Sequence, residues 1–415
     1  MRPRRRVSRR PAARAGAVRG AGSVASNAAA LHNRRSQGST ALFQDLKALP
    51  EDTILGLMAR FRADNSPDKV DLGVGVFRDE AGQTPVLACV QRAEGQVLSA
   101  QVTKTYVAPA GRAEFNTLVA DLVLGSSHPA LVQGRVRTVQ APGGCGALRL
   151  GAELIRASGQ KAVVHVSDPT WGNHMPLLGG AGLTLARYPY YDAAAGRLRF
   201  ADMLESLRRC NPGDVVLLHA CCHNPSGADL SETQWNDVLA VLEERSLVPF
   251  VDLAYQGFGN GLEADAHGLR LLAARLPEVL AAVSFSKNFG LYRERVGALL
   301  LMGDRAERSD SMLSNVLQIA RSIYSMPPDH GAAVVAAILT DAGQRRAWEV
   351  ELDAMRGRIQ SMRRLLSATL RQKSGSARFD FIESQRGMFS LLGCRSSRWF
   401  SFASSTTSTW CPTAA

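Results

Sequence analysis

The sequence predicts an α/β protein, a mainly parallel β-sheet with helices packed on both faces. Two observations carry this. From about residue 135 onward, short apolar runs alternate with stretches that keep helical apolar spacing. That order builds strand–helix–strand units and a parallel sheet. Each chemically distinctive residue also follows directly on one of the short runs. Open parallel sheets hold their ligands there, beyond the carboxyl ends of the strands. At 415 residues, the chain has room for two domains with sizeable cores.

The elements are expected in this order. Leu46, Leu49, Ile54 and Met58 give a helix over 46–62. Residues 70–77 are extended and end in the turn Asp79-Glu80-Ala81-Gly82. A helix covers 86–100. Residues 136–140 form a strand, followed by a glycine loop and a helix over 147–158. A strand over 161–166 leads into Asp168-Pro169-Thr170-Trp171. A strand over 215–220 leads into Asn224-Pro225-Ser226-Gly227 and a helix over 231–245. Strands at 248–252 and 279–284 follow, the second running into Lys287. Residues 330–373 are helical and charged, with Trp348, Leu352, Met355, Ile359, Met362 and Leu366 on the apolar stripe. This reads as a long helix leading to a second, smaller domain.

Hydrophobic content of 46% and charged content of 21% are those of an ordinary globular protein. No apolar run approaches the length of a membrane span. The net charge of +12 invites a nucleic-acid partner, but its location argues against one. Residues 1–40 hold ten arginines, and the first acid is Asp45. Removing those ten leaves the body at about +2, so the basicity belongs to a tail and not to a binding face. Residues 1–38 have no apolar period and are expected to be disordered. They read as upstream sequence translated from an early start codon, with an organelle presequence as the alternative. The expected location is cytoplasmic, or mitochondrial on that alternative. The seven cysteines lack regular spacing, which suggests reduced thiols. Cys221 and Cys222 are read as buried small residues on a strand, facing opposite sides, and no metal is expected.

Lys287 lies in Ser284-Phe285-Ser286-Lys287-Asn288-Phe289-Gly290-Leu291-Tyr292-Arg293-Glu294-Arg295. A lysine amine can capture the aldehyde of pyridoxal phosphate as a Schiff base. Nearby hydroxyls and an arginine can hold its phosphate. Pro142-Gly143-Gly144-Cys145-Gly146 opens a helix, where bare amides and absent side chains suit an anion. Asp252 ends a strand in Val251-Asp252-Leu253-Ala254-Tyr255, where it could pair with a pyridine nitrogen or simply cap a helix. Tyr255 and Asn224 could bond a ring oxygen. Trp171 could stack on the ring, and His174 could buttress Asp252 from behind.

These stretches resemble the class I aminotransferases, in the aspartate and aromatic amino acid subgroup. The resemblance rests on Gly73-Val74-Gly75-Val76-Phe77-Arg78-Asp79-Glu80, Lys104-Thr105-Tyr106, Pro142 through Leu148, and His223-Asn224-Pro225-Ser226-Gly227. It continues through Asp252 to Phe258, Ser284 to Gly297, and Tyr324-Ser325-Met326-Pro327-Pro328. It implies fold type I, with a seven-stranded large domain over 81–328. A smaller α/β domain would be built from 39–80 and 329–393. It implies pyridoxal 5'-phosphate, a homodimer, and ping-pong transamination between aspartate, glutamate or aromatic amino acids and a 2-oxo acid such as 2-oxoglutarate. Lys287 would be the Schiff-base lysine and proton shuttle, with Asp252 and Tyr255 assisting. Gly144, Cys145, Ser284 and Arg295 would bind the phosphate, joined by Tyr106 from the neighbouring subunit. Cys145 stands where a threonine is common. Asn224, Asp252 and Tyr255 would hold the ring and Trp171 would stack on it. Gly75 would lie beside the substrate carboxylate. Arg321 resembles the arginine lent across the dimer to a substrate's side-chain carboxylate, with Ser325 near the same cofactor edge.

The pattern is expected to fail after about Gly393, leaving 394–415 as an aberrant tail and the small domain incomplete. A shifted reading frame beneath that tail can spell a family-like segment that includes the arginine expected to grip the substrate α-carboxylate. A frameshift is therefore expected, with a catalytically impaired remnant as the alternative outcome.

Overall fold

The structure is a computed structural model describing residues 42–48, 53–67, 69–71, 73 and 75–393. The expected tails, 1–38 and 394–415, lie outside the described residues. By its own contacts the chain divides into Met1–Asp52 and Thr53–Ala415. In the first unit, residues 42–45 form a turn.

The second unit is organised by a seven-stranded sheet. Its strands are β1 (Val136–Pro142), β2 (Val163–Asp168), β3 (Thr184–Pro189), β6 (Val215–His219), β7 (Val248–Leu253), β8 (Val279–Ser284) and β9 (Val296–Met302). A separate two-stranded ribbon, β4 (Tyr191–Asp192) and β5 (Arg197–Leu198), follows β3. The order across the sheet is β1-β9-β8-β7-β6-β2-β3. Only β9 runs against its neighbours, β1 and β8. The expectation of a mainly parallel sheet holds. Every residue of β8 and β9 is buried, the continuous apolar run that a sheet covered on both faces demands. Two apolar clusters occupy those faces.

The chain leaves β2 toward β3, then returns to build β6, β7 and β8 on the other side. The switch point therefore falls between β2 and β6, where such sheets open a crevice at their carboxyl edge.

Local chemistry explains most boundaries. Ser231 caps the Glu232–Arg245 helix with a full capping box to Gln234. Asp341 caps the Ala342–Ser374 helix by accepting from the Gln344 amide. The helical region expected over 330–373 is two helices, His330–Thr340 and Ala342–Ser374, broken at that cap.

Several expectations need correction. The first helix spans Thr53–Ala63, with Leu46 outside it. The strand over 184–189 and strand β9 are additions to the expected set of elements. The helix expected at 147 begins at Gly143, because packing against the sheet overrides glycine's weak propensity. On the long helix, Trp348, Leu352 and Met355 are buried as expected, but Met362 is 44% and Leu366 is 41% exposed. Arg363 and Ser367 take the inward positions instead. Cys221 and Cys222 are buried, but they lie in a bend beyond β6 and not on a strand. Cys222 has φ +51°, and both thiols gather near Asp265 on one side. Asp265 already accepts the amides of Gly257, Gly259 and Asn260.

Candidate active site

Three strand ends floor the site. Asp252 on β7 pairs in register with His219 on β6. The His174 ring, at the start of a short helix after β2, meets Asp252 with Nε2 3.1 Å from Oδ2. Thr170 Oγ1 holds the other ring nitrogen of His174 at 2.8 Å. Burial alone would raise the Asp252 carboxyl, but the His174 bond, with the nearby Lys287, holds it below the ordinary carboxylate value. His174 therefore buttresses Asp252 as expected. Trp171 packs edge-on against His174, with centroids 5.2 Å apart.

Behind this floor lies a histidine stack. His219 packs on His174 at 5.2 Å and on His223 at 4.2 Å, and His223 stacks on Tyr190 at 4.0 Å. Burial drives His219 down to about 3, so its ring is neutral. The Asn224 amide donates to His219 Nδ1 at 3.2 Å, which fixes the loop carrying Asn224. Sequence reading missed His219: its place at the end of a short apolar run was the available signal, and its register with Asp252 emerges only in the structure.

Tyr255 follows β7 and is buried. Burial first, then the Asp252 charge, pushes its phenol well up, while the Asn224 side chain bonded to it acts the other way. Lys287 follows β8, with Nζ 4.7 Å from the Tyr255 ring centroid. It donates no hydrogen bond to any described residue. Burial lowers its amine below the ordinary 10.5, opposed by Asp252. Trp348 on the long helix stacks on Phe289 at 4.3 Å and donates to the Asn288 carbonyl at 2.8 Å. These two contacts fix the turn after Lys287.

The second half of the site is an anion cradle. Gly143 opens a helix with φ +69°, and a Cβ there would lie 2.5 Å from Arg295 Nη2. A Cβ on Gly297 would lie 2.5 Å from the Gly143 carbonyl carbon. One on Gly144 would meet Ser284 Cβ at 3.1 Å. Bare backbone is therefore required where β1, β8 and β9 converge. Arg295 Nη1 donates to Ser286 Oγ at 3.3 Å and to the Tyr292 carbonyl at 3.1 Å. Ser286 Oγ lies 3.2 Å from Ser284 Oγ. Among the described residues no carboxylate lies in ion-pair reach of Arg295. A guanidinium left without a carboxylate, two hydroxyls and the amino end of a 15-residue helix form a donor set suited to a phosphate. Cys145 sits at that helix start, its sulfur 3.9 Å from Asn173 Nδ2.

The chain thus brings together Lys287, Asp252, Tyr255, Asn224, Trp171, Gly144, Cys145, Ser284 and Arg295. Gly75 packs under the Phe389 ring, and that ring meets Tyr255 edge-on at 5.9 Å. Two expected residues stay at the surface: Tyr106 is 91% exposed, and Arg321 is exposed and bonded to Ser325. Metal-type donors also cluster at His165, Cys210 and Asp214. There the Asp214 oxygens already take two backbone amides and His165.

Fold and site together define a fold type I pyridoxal phosphate transferase. Residues 67–409 match the family described as aminotransferase class I and II, and the chain belongs to that family. It is 47% identical over 351 residues to an aromatic-amino-acid aminotransferase of Pseudomonas aeruginosa, covering 85% of this chain and 88% of that one. It is 45% identical over 352 residues to an aspartate aminotransferase of Escherichia coli K12, covering 85% and 89%. The crystal structure of an aromatic-amino-acid aminotransferase from Burkholderia pseudomallei, covalently bound to pyridoxal phosphate, superimposes with TM-score 0.87 at 43% identity. That match covers 90% of this chain and 94% of the other. The family match continues past Gly393, so the expected divergence there is not confirmed. Among the described residues no helix is long and apolar enough to cross a membrane.

Proposed function

We propose that this aminotransferase moves an amino group between an L-amino acid (aspartate, glutamate or an aromatic one) and a 2-oxo acid such as 2-oxoglutarate, in two half-reactions. The observation that carries this is the Lys287 amine, which has no hydrogen-bond partner among the described residues and lies over the Tyr255 ring, with the His174-held Asp252 on the adjacent strand. When bound, pyridoxal 5'-phosphate supplies an aldehyde for the amino nitrogen and a protonated ring that draws electrons from the substrate α-carbon.

His174 favours the ionised form of Asp252, whose carboxylate would accept the ring N–H. Tyr255 and Asn224 would donate to the ring oxygen, and Trp171 would cover one ring face. Ser284, Arg295 and the amides of Gly144 and Cys145 would anchor the phosphate. Cys145, standing where a threonine is common, offers a thiol in place of a hydroxyl. Lys287 would yield its covalent place to the substrate amine, and its freed Nζ would then be the base that carries the α-proton. Burial lowers the basicity of that amine, which favours the neutral form that the task requires.

Gly75 lies beside the substrate carboxylate. Tyr106 and Arg321 act across a homodimer, which their exposure on a single chain supports. On this reading 81–328 is the large domain, and the described residues of 53–80 with 329–393 belong to the small one. The working location is the cytoplasm. A catalytically impaired remnant has less support, because the matching relatives are named aminotransferases and the match spans most of the chain.

Adding glutamate to the chain reconstituted with pyridoxal phosphate should bleach the absorbance of the bound cofactor and release one equivalent of 2-oxoglutarate. An unchanged spectrum would refute transamination. Arg321→Ala should lower kcat/KM for aspartate by roughly 10- to 100-fold, the worth of a charge-assisted contact. Phenylalanine should be affected far less, and equal losses for both would remove Arg321 from substrate recognition.

A further inference from the structure

Arg363 lies on the inner face of the Ala342–Ser374 helix and is only 7% exposed. Among the described residues no carboxylate lies within ion-pair distance of it. Its guanidinium is spent on neutral oxygens instead. Nε donates to the Gly387 carbonyl at 3.0 Å, and Nη2 donates to the same oxygen at 2.7 Å. Nη1 donates to the Ile382 carbonyl at 3.2 Å and to Ser390 Oγ at 2.6 Å. Nη2 also reaches the carbonyls of Arg386, at 3.2 Å, and Phe389. A buried cation with no carboxylate at ion-pair distance is expensive. This one persists because it satisfies a run of buried carbonyls, most of which belong to no strand or helix.

That run leans on the site. The Arg386 amide donates to the Gly227 carbonyl at 2.7 Å, and the Gly227 amide donates to the His223 carbonyl at 2.7 Å. Gly227 has φ +69°, and a Cβ there would overlap the Phe389 carbonyl and come within 3.2 Å of Arg363 Nη2. A Cβ on Gly387 would collide with Cys222. The segment held by Arg363 is therefore pressed against the 222–227 loop that carries Asn224. The same segment carries Phe389, whose ring abuts Tyr255 at 5.9 Å and covers Gly75.

We propose that Arg363 is a positioning residue for transamination: by gripping the carbonyls of residues 382–389 it seats Asn224 and Tyr255 against the cofactor ring oxygen. This rests on the function proposed above. Only a planar fork with five donors can serve so many acceptors at once, so lysine is a poor replacement.

The test uses full-length Arg363→Met, Arg363→Lys and Phe389→Leu, each reconstituted with pyridoxal phosphate and assayed well below its melting temperature. In Arg363→Met, kcat of the glutamate half-reaction should fall by about 100-fold, the effect of misplacing reacting groups by an ångström. KM should change less. The pH midpoint of the bound cofactor's absorbance should rise, because donors to its ring oxygen are displaced. Arg363→Lys should recover only part of both changes. Phe389→Leu, which removes no buried charge, should move the midpoint the same way and keeps the question answerable if Arg363→Met does not fold. A lowered melting temperature with unchanged kcat and midpoint would overturn the proposal and leave Arg363 structural. If the unsubstituted chain takes up no cofactor, the functional reading falls as well, which separates the two failures.

Discussion

Lys287→Ala should keep the fold and lose transamination by at least about 10⁴-fold, because one amine serves as both covalent partner and proton carrier. Borohydride treatment of the unsubstituted holoenzyme, followed by peptide mapping, should place the reduced label on residue 287. A label on another lysine, or activity retained in the alanine variant, would sink the assignment. The pH behaviour follows from burial, which sets the folded-state amine below its ordinary 10.5. Capture of the aldehyde by cofactor-free protein should accelerate with rising pH and level off before a free lysine would. The unfolded chain binds this proton more tightly than the folded one. The cofactor-free protein should therefore gain stability as pH rises through the folded value toward 10.5, a trend that Lys287→Ala should flatten. Melting curves across that window measure it.

Asp252→Asn should be the next most damaging change, lowering kcat by roughly 10²- to 10³-fold, as expected for loss of a fixed charge opposite developing charge. The amide cannot keep a proton on the ring nitrogen, so the electron sink is lost while the shape is kept. His174→Phe tests the support from behind. Without the imidazole, burial is left to raise the Asp252 carboxyl. The acid limb of the pH–rate profile should then move upward. An unmoved limb would mean that the contact between His174 and Asp252 does nothing for the charge.

Much of this site is legible in the amino-acid sequence, for a physical reason. Lys287, Tyr255 and the Gly143–Cys145 helix start each follow a short strand and Asp252 stands near the end of one, and a parallel sheet gathers its strand ends along one edge. The features that sequence does not reveal lack a local signature. β9 is uniformly apolar, so periodicity alone could not separate it from a buried helix. His219 looks like any strand residue until its register with Asp252 is known. Arg363 reads as a solvated helix charge because its partners are main-chain carbonyls some twenty residues away. The stripe through Met362 and Leu366 misleads for the same reason, since the inner face there is polar. The vicinal cysteines break the alternation rule because the strand has already ended.

The reversed strand β9 has a consequence for biogenesis. Among the described residues β1 lies at the rim of the sheet and pairs with β9 alone, although some 150 residues separate them along the chain. A ribosome therefore extrudes β1 long before that partner strand exists, a non-local closure of the slow, aggregation-exposed kind. The phosphate seat, shared by Gly143 on one side and Arg295 on the other, cannot assemble until that closure. Vitamin B6 loading must come late, after residue 302 has left the exit tunnel.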